Sequence, residues 1–105
     1  MTTLEGIALK VLLIGSTHYI ETGSGQEAAI YYESEKVAHM RIPDGITWRG
    51  DLQLHTDGYH VTWQNGPQGA WKIGFAPGKF VYLDGEGKDR GSITKIVPGN
   101  PEDFG

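Results

Sequence analysis

The chain has 105 residues, with 16 glycines, three tryptophans, five tyrosines, three phenylalanines, no cysteine and a formal charge of −4. This length holds one domain, spanning 1–105. Without cysteine there are no disulfides, thiolate metal sites or cysteine nucleophiles, and without a basic stripe nucleic acid is excluded as the expected partner.

Thr2-Thr3-Leu4-Glu5 has capping-box spacing, a hydroxyl at the cap and a carboxylate three residues on. Leu4, Ile7, Ala8, Val11 and Leu12 recur at helical intervals, and Gly15 stops the run, which predicts a short amphipathic helix over 3–14. So short a helix needs support. The segment 79–84 is apolar on both faces and is the expected seat, with the helix outside the sheet. Lys10 interrupts the apolar run from Ile7 to Ile14 and no basic start precedes it. The expectation is therefore no secretory signal, no membrane span, no membrane partner and a cytoplasmic location.

After Gly15, turn residues arrive at short intervals: Gly23-Ser24-Gly25, Ser34-Glu35, Pro43-Asp44-Gly45, Asp57-Gly58, Asn65-Gly66-Pro67, Pro77-Gly78 and Asp84-Gly85-Glu86-Gly87. Between them lie segments rich in β-branched and aromatic residues, which predict strands at 17–22, 26–33, 36–42, 46–55, 58–64, 69–76, 79–84 and 91–97. Tyr59, Val61 and Trp63 alternate with His60, Thr62 and Gln64, and Trp71, Ile73 and Phe75 with Lys72 and Gly74. Half-buried strands have this period. No helical pattern separates them, so the pairing is antiparallel. The fold class is all-β: an eight-stranded antiparallel up-and-down barrel with one short N-terminal α-helix. Two prolines close together bar the tail from a strand, so a turn and a loose end are expected over 98–105.

Several short motifs stand out: Leu13-Ile14-Gly15-Ser16-Thr17 after the helix, Tyr31-Tyr32, Trp63 after Asp57-Gly58, Trp71, Tyr82 before Asp84-Gly85, and Gly91-Ser92-Ile93 leading to Pro98-Gly99-Asn100-Pro101. With them the chain resembles small bacterial calycin-type proteins, the lipocalin-like or streptavidin-like meander barrels. The resemblance implies a barrel with at most a small cavity, and it informs fold more than function.

Trp48, Tyr59, Trp63, Trp71 and Tyr82 are placed to converge on one interior, with Tyr19 as a further ligand contact. They form either a packed core or an aromatic pocket with a few polar groups. The leading expectation is that the barrel binds a small apolar or aromatic molecule. The alternative is a cofactor-independent lyase, hydratase or isomerase in the same cavity. There His39 would be the general base, Tyr32 or Glu33 an acid or orienter, and Arg41 the holder of an anionic substrate, with Tyr19 and His60 as weaker candidates. His39 and Arg41 alternate with Ala38, Met40 and Ile42, so they face solvent if the apolar face lines the barrel. His55 and His60 flank one turn but lack metal-site spacing, so no metal and no cofactor is expected. Asp44, Asp57 and Asp84 precede glycine and read as turn residues. A homodimer through a sheet edge or face is a third expectation.

Overall fold

A computed structural model describes residues 2–21, 26–64, 66 and 68–104. The elements in chain order are β1 (Thr2–Thr3), α1 (Gly6–Leu13), β2 (Ser16–Glu21), β3 (Glu27–Tyr32), β4 (Val37–Arg41), β5 (Thr47–Leu54), β6 (Tyr59–Trp63), β7 (Gln68–Ala76), β8 (Lys79–Asp84) and β9 (Asp89–Pro98). Strands β2 to β9 pair antiparallel in chain order, and β9 returns to pair with β2. The result is the expected closed barrel of eight strands. Turns 23–25 and the positions Asn65 and Pro67 lie outside the described residues. Asp44 and Asp84 act as turn residues, their carboxylates accepting from the backbone N–H groups of Ile46 and of Glu86 and Lys88.

Closure bends β9 twice. Its register slips against β2 between Tyr19 and Ile20, and against β8 between Tyr82 and Leu83. The extra residues are Thr94 and Arg90, and such bulges tighten curvature where a sheet must meet itself. Closure also leaves the eight barrel strands no free edge, so the expected edge route to a dimer is closed to them.

The N-terminus corrects two expectations. Thr2 and Thr3 do not cap the helix: they pair with Phe75 and Gly74 of β7, beyond where β6 ends. Glu5 occupies the N-cap position with no side-chain cap. A backbone ladder satisfies Thr2 and Thr3 more completely than a single capping bond would. The helix does not lie outside β8 either. Leu4 N–H donates to the Ile73 carbonyl, Gly6 N–H to Thr56, and Gly15 N–H to Tyr32. These anchors stand on opposite sides of the barrel, so α1 spans its end. Leu9 and Leu13 enter the interior cluster with Ile20, Ile30, Tyr32 and Leu52, while Ile7 and Val11 face outward. Gly15 ends the helix in a left-handed conformation (φ 80°), as its position predicted.

The tail is not loose. The carbonyl of Gly99 accepts from the Thr17 hydroxyl at 2.9 Å. The Asn100 side chain clips Phe104 at both backbone groups, 2.8 and 2.9 Å. Phe104 is buried against Tyr31 and the outer face of the barrel. Pro98 itself closes β9 opposite Ser16; the residues after it form no strand, and side-chain anchors order them without one.

Candidate binding site

Register decides which way each side chain points. On β3, Ala28, Ile30 and Tyr32 face inward and Ala29 and Tyr31 outward, and Glu33, just past its end, reaches the outward His39. On β4, Ala38 and Met40 face inward and His39 and Arg41 outward. The three phenols Tyr32, Tyr59 and Tyr82 meet inside. The Tyr32 and Tyr59 hydroxyls are 2.8 Å apart, and Tyr82 flanks Tyr59. Burial pushes all three hydroxyls well above the usual phenol range, so they stay protonated and serve as neutral hydrogen-bonding groups.

His18 lies under the helix with its ring edge-on to Tyr32, centroids 5.0 Å apart. Its Nε2 is 3.0 Å from the Leu12 carbonyl. A carbonyl only accepts, so Nε2 carries the proton and Nδ1 is bare; Nδ1 has no partner among the described residues. Burial lowers the His18 pKa from 6.5 to about 4, partly offset by the Leu12 bond. A base whose folded pKa is depressed contributes stability that is complete above pH 6.5 and is lost as pH falls toward 4. That shift corresponds to about 3 kcal/mol. Urea unfolding at stepped pH should show this loss, and His18→Gln should flatten it. Parallel slopes for the two proteins would contradict the assignment.

Around the phenols the interior is filled. Tyr32, Leu13 and Ile73 are 0% exposed and Tyr59, Leu9 and Val61 1%. A water-sized void beside any of them would leave measurable surface. Toward the end away from the helix the filling is less complete. Trp71 faces inward opposite Tyr59 and stacks on Tyr82, with ring centroids 4.5 Å apart and planes 19° apart. It nevertheless remains only half-buried. Its indole Nε1–H is buried with no acceptor among the described residues. Gly69, next along the same face, leaves bare backbone beside that N–H, since a Cβ there would lie 3.7 Å from Nε1. Trp63 covers the inner wall of β5: its ring occupies the space where a Cβ on Gly50 would come within 2.7 Å.

Of the expected ligand contacts, Tyr59, Trp63, Trp71 and Tyr82 do converge inside. Trp48 packs against the same core but sits at the rim beneath Gly66. Tyr19 is on the outer face, because β2 turns His18 and Ile20 inward. Its hydroxyl donates to Glu102 at 2.7 Å, and burial together with that carboxylate pushes its pKa up to about 12.

The acid–base group expected in one cavity is divided by the barrel wall. Tyr32 is inside, whereas His39, Glu33 and Arg41 stand outside. There His39 Nε2 is 3.0 Å from the Glu33 carboxylate, and Arg41 donates to the Glu102 carboxylate at 2.8 Å and to its carbonyl at 3.2 Å. His39 is nonetheless buried, because Phe104 stacks on its ring at 5.8 Å. His60 is half-buried opposite Gln53 and Ala70. No group of three or more metal-ligating side chains forms among the described residues. Among the described residues no helix is long and apolar enough to cross a membrane.

Comparison with known proteins matches no family model, no curated protein and no solved structure. The function has to be read from the geometry. The residues that sequence reasoning missed are Gly69, which opens space beside Trp71, and the tail pair Glu102 and Phe104. Phe104, a lone aromatic beyond two prolines, was the available signal for the tail.

Proposed function

We propose that this chain is a calycin-type binding barrel, taking a small planar, largely apolar molecule with one hydrogen-bond acceptor at the end away from the helix. The observation that carries the reading is Trp71. It is an inward, half-buried indole stacked on Tyr82, whose buried N–H has no acceptor among the described residues. A buried unpaired donor is unfavourable by about 1–3 kcal/mol, and a ligand oxygen beside Gly69 would recover that once the indole turns its N–H toward it. Trp63 supplies a second aromatic wall. The filled depth around Tyr32 and Tyr59 limits the ligand to a shallow seat, in keeping with small barrels that hold one small molecule at most.

Tryptophan emission tests this with coumarin, which carries a carbonyl, and naphthalene, which does not. Coumarin should quench saturably and bind about tenfold more tightly than naphthalene. Trp71→Phe should reduce coumarin to the naphthalene level. Equal binding of both compounds, or no saturable response to either, would remove the proposal.

A further inference from the structure

The helix end of the barrel holds a histidine with no outlet for a second ring proton. His18 already gives its Nε2–H to the Leu12 carbonyl, and Nδ1 is bare, buried and without a partner among the described residues. Its cross-strand neighbours are Ile30 of β3 and Ile96 of β9. The neutral Tyr32 phenol stands edge-on to it, and α1 offers it only the Leu12 carbonyl. No charged side chain acts on it. Lys10, the one charge within α1, is paired with the exposed Glu35 at 2.8 Å, and Lys95 of β9 lies over the outward Tyr19 ring. A proton at Nδ1 would therefore be a buried, unsolvated donor on a charged ring, which is strongly unfavourable unless water reaches it.

The walls around His18 are not equally firm. Its own strand is laddered on both sides, to β3 and to β9. The helix above it has eight residues, no side-chain N-cap and only two buried side chains, Leu9 and Leu13. It is tied at its ends by the N–H groups of Gly6 to Thr56 and of Gly15 to Tyr32. A groove lined by Gly6, Leu9, Leu54 and Thr56 runs along its flank, so solvent already reaches one side. A helix this short does not persist without its tertiary contacts, and local opening runs through the element with the fewest of them. We propose that α1 is an acid-released lid: when His18 takes up a second ring proton, the helix lifts from the barrel end while the eight-stranded ring stays closed. The lid lies at the end opposite the Trp71 seat, so it does not depend on the binding reading given above.

Amide hydrogen exchange of the full chain, resolved by residue and divided by the intrinsic rate at each pH, tests this. With His18 at 6.5 when uncovered and about 4 when covered, linkage multiplies the open population about 100-fold between about pH 7 and pH 4. The amides from Leu9 to Ile14 should lose protection by that factor. At every pH they should also be less protected than Leu52 and Val61 in the β5–β6 ladder. His18→Gln should abolish the fall. Glu35→Gln, which removes the exposed carboxylate paired with α1, should leave it in place, and this variant decides the matter if His18→Gln does not fold. The inference is overturned if α1 is as protected as the ladder, since the molecule then opens only as a whole. It is overturned equally if α1 protection is flat from about pH 7 to pH 4, if the fall survives in folded His18→Gln, or if Glu35→Gln removes it.

Discussion

Replacing Tyr59 with alanine should destabilise the barrel by about 3–5 kcal/mol, the range for removing a large buried aromatic. Tyr59 is 1% exposed and touches both neighbouring phenols, with its ring centroid 5.5 Å from that of Tyr32. The truncation opens a hole in a part of the interior that has no room to collapse. It also leaves the Tyr32 hydroxyl without its partner at 2.8 Å. Tyr59→Phe separates the two effects. It keeps the volume and removes only the hydroxyl, for which about 1–3 kcal/mol is expected. Chemical denaturation of the two variants checks the ordering. If Tyr59→Phe were as damaging as Tyr59→Ala, the hydroxyl chain and not the packing would be holding the centre.

Leu13→Ala should cost about 2–5 kcal/mol, although it lies at the end of a helix of only eight residues. The reason is position. Leu13 is 0% exposed and packs within the interior cluster, whereas Val11, two residues earlier on the same helix, is 72% exposed. Val11→Ala should therefore change stability by less than about 0.5 kcal/mol. Equal effects at the two positions would mean that the helix rests on the barrel without sealing it.

Strand positions were legible because they are local. Aspartate–glycine and proline–glycine marks set the turns, and alternation such as Tyr59, Val61 and Trp63 told inside from outside. The eight barrel strands consequently fall within a few residues of their expected ends. What escaped depends on partners distant in the chain. Tyr19 reads as an inward aromatic until Glu102, 83 residues away, accepts its hydroxyl. His39 and Arg41 read as solvent-facing residues, and they do point outward. No periodicity reveals that Phe104 and Glu102 come back to cover them. The capping-box spacing at Thr2 to Glu5 misled because an unoccupied stretch of β7 offered Thr2 and Thr3 a full ladder. For the candidate site, the inward aromatics could be listed from sequence, but the partial exposure of Trp71 depends on the small residue at 69 and on how rings stack.

The pairing of β9 with β2 as well as β8 has a kinetic consequence. Ser16 to Glu21 find their last neighbours in a strand that ends at Pro98, so the ring cannot shut until synthesis has passed Pro98 and that strand has left the ribosome. Mean sequence separation between partners is high in such a topology, and loop-closure entropy must be met before the decisive contacts form. Until then a nascent chain presents two unpaired strand margins, a window for chaperone capture or self-association that the finished molecule no longer offers.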